Sequence, residues 1–255
     1  GKSNTIYAGT ASGLSVIQEK QSHANYGDGS DESNGSVKYY TKDYISEEMV
    51  GDIRGMWPLS ANGAISMSDA SVKADTLTNN GTATAVTGVR GAGVSLNGSS
   101  QYLSCTDAAC GSQFESLSAF TVGAWIKTST CGGTWGDIMS KADVTTLSFS
   151  FLLELNCSSG IPLFYPYNGG SLVSSVSGNT NLLDGKWHFV VGQLTSAGSR
   201  VYVDGKLEGS ISETGTTMNS TTNFSIGAAY SSGSPTRYFN GSIDEPFVTA
   251  TALTA

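Results

Sequence analysis

Between Trp187 and Val248 the chain reads as consecutive antiparallel strands, and few folds accommodate such a run. Trp187–Leu194 alternates bulky with small or polar residues. Ser199-Arg-Val-Tyr-Val-Asp-Gly-Lys-Leu-Glu-Gly-Ser is broken at Asp204-Gly205, a dipeptide that tolerates positive φ in a tight hairpin. Gly241-Ser-Ile-Asp-Glu-Pro-Phe-Val supplies a closing strand. Upstream, Phe120-Thr-Val-Gly-Ala-Trp-Ile-Lys places Phe120, Val122, Ala124 and Ile126 on one face, and Thr121, Gly123, Trp125 and Lys127 on the other, so one face is expected to be core. From Met56 onward such strands alternate with turns, the pattern of two packed antiparallel sheets.

Composition agrees. Of 255 residues 32 are Gly and only 13% are charged, as suits many short strands joined by tight turns. Thirteen scattered bases against 21 acids form no basic stripe, so a nucleic-acid partner is not expected. No apolar run reaches bilayer length; the longest candidate, Leu147–Leu155, is interrupted by Ser148, Ser150 and Glu154, and no membrane span is expected.

Four cysteines, Cys105, Cys110, Cys131 and Cys157, suit two disulfides in an oxidising compartment, which points outside the cell or to its surface. Three pairings are open. Cys105–Cys110 with Cys131–Cys157 is preferred because each bond closes a nearby loop; reduced, buried thiols are the alternative. Zinc is disfavoured, since no CxxC occurs and His23 and His188 lie far from the cysteines in sequence. The seven Asn-x-Ser/Thr sequons, at Asn34, Asn80, Asn97, Asn156, Asn219, Asn223 and Asn240, include four Asn-Gly pairs that turn chemistry explains without glycosylation.

Residues 1–55 differ from the rest and form a β-rich extension or linker. Thr5–Thr10 and Gly13–Gln18 read as a hairpin, Gly27–Gly35 as a solvated loop, Val37–Ile45 as a third strand and Ser46–Ile53 as a short helical stretch. Two or three strands are marginal alone, so this segment is expected to pack on the sandwich or to pair with another chain, which makes a homo-oligomer through these strands one expectation.

Six segments carry a family resemblance, in family order. They are Val94-Ser-Leu-Asn-Gly-Ser-Ser-Gln-Tyr-Leu-Ser, Phe120-Thr-Val-Gly-Ala-Trp-Ile-Lys, Asp184-Gly-Lys-Trp-His-Phe-Val-Val, Val201-Tyr-Val-Asp-Gly-Lys-Leu, Phe224-Ser-Ile-Gly and Phe239-Asn-Gly-Ser-Ile-Asp-Glu-Pro-Phe-Val. Together they resemble bacterial laminin G-like domains, a branch of the concanavalin A-like lectin and glucanase jelly rolls, over residues 56–255. The resemblance implies an all-β antiparallel sandwich that binds extracellular glycans or proteins and often carries a structural calcium. Asp69 and Asp244 best match the family's acids, although Gln101 stands where many relatives have another. Without calcium, Asp244 is a salt-bridge or turn residue and Asp69 a cap or Asx-turn.

Catalysis finds little support. A retaining glycosidase needs two carboxyls about 5 Å apart, commonly alternating along one strand, and no such run occurs. Glu154 stands alone in an apolar strand and reads as a polar residue on its solvated face. His188 lacks a serine in a nucleophile elbow and fits scaffold packing. Binding is better supported, because aromatics at strand ends offer sugars a rigid apolar surface. Trp135, Tyr165, Tyr167 and Tyr230 are the candidates, with a core or rim position as the alternative for each, while Trp125 and Trp187 are assigned to the core or to inter-sheet packing. A non-catalytic carbohydrate-binding module is the leading expectation. A structural subunit of a surface assembly, or an accessory domain of a larger secreted glycosidase or adhesin, are the others.

Overall fold

The computed structural model describes residues 53–61, 64–71, 73–168, 171–172, 175–212 and 219–253, together with 5–6 and 17–18. Thr5–Ile6 pairs antiparallel with Ile17–Gln18, within the hairpin read from sequence. The loop at 27–35, the strand at 37–45 and most of the helical stretch at 46–53 lie outside the described residues.

The first half of the sandwich contains β1 (Ile53–Met56), β2 (Thr78–Asn80), β3 (Thr84–Thr87), β4 (Ala92–Asn97), β5 (Tyr102–Cys105) and β6 (Phe120–Lys127). Next come β7 (Trp135–Asp143), β8 (Ser148–Asn156), β9 (Pro162–Asn168) and β10 (Val176–Ser177). The last group is β11 (Trp187–Thr195), β12 (Gly198–Val203), β13 (Lys206–Ile211), β14 (Phe224–Ile226), β15 (Ala229–Ser231), β16 (Ser234–Thr236) and β17 (Asn240–Thr249). One sheet runs β13-β12-β11-β6-β17-β4-β3, with β1 added on β17. The second runs β9-β8-β7-β14-β5-β2, with β10 on β9 and the β15–β16 hairpin on β7.

The alternation seen in sequence decides which faces meet. Phe120, Val122, Ala124 and Ile126 are all buried and belong to one continuous core with Phe151, Leu153 and Leu155 of the facing sheet. Phe120 lies 5.6 Å from the rings of both Phe151 and Phe164. Gly192 is needed opposite Phe164, since a Cβ there would run into the ring. Burying each such aromatic contributes roughly 1.5–3 kcal/mol. The hairpin at Asp204-Gly205 forms as expected, with φ of 49° and 78° and the register Val203↔Lys206.

Two tryptophan assignments need correction. Trp125 shares its strand with the core-facing set but has the opposite parity, so it packs half-buried on the outer face, 5.2 Å from Phe189. Trp187 is also half-buried, at the start of β11. The core tryptophan is Trp57. It is fully buried, stacks 5.2 Å from Phe224 and donates its indole N–H to the Asp75 carbonyl at 3.1 Å. It follows β1 directly, because the strand that pairs with β17 ends at Met56.

Both preferred disulfides are present, with Cα separations of 6.0 Å for Cys105–Cys110 and 5.4 Å for Cys131–Cys157. These fall within the usual range for a disulfide, and among the described residues no cysteine is free.

Candidate functional site

The outer face of the second sheet gathers a polar and aromatic cluster whose members are far apart in sequence. Register places Asp137 of β7 opposite Glu154 of β8, Trp135 opposite Asn156, and Leu152 opposite Tyr165 of β9. Period two then brings Trp135, Asp137, Glu154 and Tyr165 to one side. Arg237 arrives from the segment after β16 and reaches over them. Its Nη1 donates to Glu154 Oε2 at 3.0 Å, its Cζ lies 5.6 Å from the Trp135 ring centroid, and its carbonyl accepts the Asp137 N–H at 3.0 Å.

What holds Arg237 there is a carboxylate one strand end away. Asp143 closes β7, and its oxygens accept N–H groups from Thr145 (3.1 Å), Thr146 (3.0 Å), Ser232 (3.1 Å) and Gly233 (2.8 Å). It thereby ties the β7–β8 turn to the β15–β16 hairpin that leads into Arg237. Burial alone would raise the Asp143 pKa, but the four backbone donors prevail and bring it down to about 2.

Glu154 is therefore not the solvated residue expected from sequence. It is fully buried, because the outer face of β8 is covered by Arg237 and Tyr165 instead of water. Asp137 is equally buried. With both carboxyls ionised, neither Asp137 oxygen nor Glu154 Oε1 has a hydrogen-bond donor. Burial, then the charge of Glu154, push the Asp137 pKa well up, while burial raises Glu154 against the pull of Arg237. A proton shared by the two carboxyls would supply the missing donor between them. Burial and the Glu154 charge also push Tyr165 up to about 12, so its hydroxyl remains a donor. The accessible parts of the cluster are the half-buried Trp135, Tyr165 and Arg237.

Of the four aromatics singled out by sequence, Trp135 and Tyr165 thus meet around Glu154 and Arg237. Tyr230 is buried, with its ring edge-on to Tyr102 at 6.4 Å, and Tyr102 lies 6.0 Å from Tyr238. The Tyr167 side chain lies outside the described residues. Sequence reasoning missed Asp137 and Arg237. Asp137 was hidden within an ordinary strand, and Arg237 carries no motif.

Asp69 lies in the loop before β2, whereas Asp244 lies within strand β17, opposite Trp125 of β6. Asp69 Oδ1 accepts the N–H groups of Met56 and Ser71, both at 2.8 Å, while Oδ2 accepts the Ser71 hydroxyl at 2.6 Å and the Asp75 N–H at 3.2 Å. Asp244 is buried and accepts N–H groups from Arg90 (2.9 Å) and Glu245 (3.0 Å). Gln101 donates its amide to the carbonyls of Gly81 (3.1 Å) and Thr82 (3.2 Å). Calcium takes six to eight oxygens, and here the carboxylates already serve as acceptors for backbone donors. Among the described residues no three His, Cys, Asp or Glu side chains converge, and Asp69 and Asp244 each accept separate backbone donors.

His188 likewise serves the scaffold. Its Nδ1 lies 2.8 Å from Asp204 Oδ2 and its Nε2 3.1 Å from Asp184 Oδ1, joining two turns at the end of the first sheet.

Two antiparallel sheets with a polar and aromatic outer face define a lectin-like β-sandwich. The chain belongs to the concanavalin A-like lectin/glucanases superfamily, whose laminin G model matches residues 97–255. No curated protein matches it in sequence. Among solved structures it is similar to the binding domain of Paraclostridial Mosquitocidal Protein 1, at 14% identity and a TM-score of 0.60, covering 80% of this chain and 50% of that one. It is also similar to domain 4 of AbnA, a GH43 extracellular arabinanase from Geobacillus stearothermophilus, in complex with arabinotriose. That match has 18% identity and a TM-score of 0.58, covering 80% and 94%. A third is the binding domain of Botulinum Neurotoxin DC in complex with SialylT, at 14% identity and a TM-score of 0.56, covering 80% and 49%. The chain spans about half the length of the toxin binding domains it matches. At these identities the likeness concerns the fold.

Proposed function

We propose that this domain is a non-catalytic glycan-binding module that works outside the cell, with Trp135, Tyr165 and Arg237 as its contact surface. One observation carries the reading: a half-buried tryptophan ring with a guanidinium fixed 5.6 Å from its centroid. Such a pair offers an apolar platform for a sugar C–H face beside donors for its hydroxyls. Glu154 receives one guanidinium N–H and sets the orientation of the rest. A binding role is also supported by the neighbours, one of them a domain of a glycosidase solved with an oligosaccharide. Two disulfides support an oxidising location.

The paired acids do not favour hydrolysis. Asp137 and Glu154 are both fully buried and face each other, whereas a glycosidase holds its two carboxyls on either side of the scissile bond. A glycan microarray followed by calorimetry tests the proposal. Trp135→Ala is expected to weaken the best ligand roughly tenfold, the loss of one aromatic contact. No binding across neutral and acidic glycans, with or without calcium, would refute it, as would Trp135→Ala binding like the parent.

A further inference from the structure

The end of the sandwich beneath the Cys105–Cys110 loop holds a second cluster, independent of the glycan-binding surface. Lys141, on β7, is fully buried. Its Nζ lies 2.6 Å from Asp107 Oδ1 and 2.9 Å from Glu115 Oε1. The same Nζ donates to the carbonyls of Ser220 at 2.5 Å and Thr222 at 2.9 Å. Four oxygens therefore surround three ammonium protons. The setting is largely apolar: Lys141 is opposite Phe151 in register, and the ring of Phe114, one residue before Glu115, lies 6.4 Å from that of Phe151.

Each partner is held in place. Asp107 sits in the loop closed by Cys105–Cys110, and its N–H donates to Asn223 Oδ1 at 3.1 Å. Glu115 Oε1 also accepts the Ser220 N–H at 2.9 Å. Gly111 covers the pair, and a Cβ there would come within 2.9 Å of Asp107 Oδ1 and 3.2 Å of Lys141 Nζ.

We propose that Lys141 and Asp107 condense spontaneously into an intramolecular amide, with Glu115 as the proton relay. Glu115 takes one proton from the Lys141 ammonium and passes it to the Asp107 carboxyl, so that a neutral amine faces a neutral acid. The two protons left on Nζ stay on the Ser220 and Thr222 carbonyls, which directs the freed lone pair toward Asp107. Nζ already touches the carboxyl at Oδ1, 2.6 Å away, and attack requires its carbon at about 3–3.5 Å. Nζ bonds to Asp107 Cγ, and the tetrahedral intermediate loses one oxygen as water. The leaving hydroxyl takes its second proton from Nζ, relayed through Glu115. Overall an ammonium and a carboxylate become a neutral amide and one water, so charge and atoms balance, and Glu115 returns to its starting state.

Two features favour the product. The reacting groups are fixed, and well-oriented intramolecular reactions reach effective concentrations on the order of 10⁵–10⁸ M. Condensation also removes the buried ammonium together with the Asp107 charge, and leaves Glu115, 15% exposed, with the Ser220 N–H as its donor. The bond would link the loop before β6 covalently to β7 of the second sheet, next to a disulfide that closes the same loop.

Intact mass spectrometry of the denatured, reduced protein decides the question. The expected mass is lower than that of the reduced chain by one water, and proteolysis releases a branched peptide joining the Asp107 and Lys141 segments. Lys141→Arg and Glu115→Gln should both show the full mass. Asp107→Asn should still crosslink, losing ammonia instead of water. A parent protein at full mass with no branched peptide overturns the proposal without requiring any variant to fold. A crosslink that persists in Glu115→Gln overturns the relay.

Discussion

Replacing Arg237 by Met strands Glu154, and the size of the effect follows from the burial of the pair. The Glu154 side chain is 1% exposed and that of Arg237 27%, with 3.0 Å between them. Removing one partner of a buried pair costs about 3–5 kcal/mol, because the other charge is left without compensation. Water reaches the Arg237 end, which lowers the expected loss to about 2–3 kcal/mol. For a domain of this size that corresponds to a fall in Tm of about 5–10 °C. Glu154→Gln removes the charge that Arg237 neutralises. The double variant should therefore lose less than the sum of the singles, with a coupling of about 1–3 kcal/mol.

The pH dependence has a definite sign. Burial already raises the Glu154 pKa in the folded state, and removing Arg237 raises it further. A group whose folded pKa exceeds its unfolded value stabilises fully below the unfolded pKa and loses that contribution as pH rises through the folded one. The Arg237→Met penalty should thus be largest near neutrality and shrink as acid protonates Glu154. Urea unfolding of the four proteins at several pH values supplies the measurement. A penalty under about 0.5 kcal/mol near neutral pH, or one independent of pH, would refute the reasoning.

Three further outcomes are expected. Burial acts to lower the His188 pKa, but Asp204 and Asp184 outweigh it and raise it, so this contribution to stability is complete below the ordinary histidine pKa and fades as pH rises past it. His188→Gln should flatten that part of the Tm–pH curve, and an unchanged curve would contradict it. Replacing Cys131 and Cys157 together by Ser opens a loop of 26 residues' separation and should cost about 3–4 kcal/mol in a denaturant titration; an unaltered midpoint would count against a stabilising bond. Calcium or EDTA should leave Tm unchanged, since Asp69 and Asp244 already accept backbone N–H groups, whereas a calcium-dependent rise abolished by Asp244→Asn would restore the cation site.

Local pattern carried most of the fold. Strand parity in Phe120–Lys127, the turn chemistry of Asp204-Gly205 and the Cys105–Cys110 pair depend on neighbours within a few residues, Cys131–Cys157 closes a loop across a separation of 26, and the structure agrees with each. The same parity already placed Trp125 opposite the core set, and assigning it to the core went against its own strand. The candidate site was legible only in part. Trp135 and Tyr165 were visible as aromatics near strand ends, but Asp137 and Glu154 become a pair only through the β7–β8 register, and Arg237 joins them only after the chain has returned across 83 residues.

The sequence by itself determined an all-β sandwich of laminin G type, because strand alternation and turn residues act locally and each motif occurs in family order. Tertiary structure alone decided that Glu154 is buried and paired, that Asp69 and Asp244 accept separate backbone donors, and that Lys141 lies against two carboxylates. Those outcomes depend on which strands become neighbours and what covers them. A buried charge acquires its meaning from partners that sequence distance conceals.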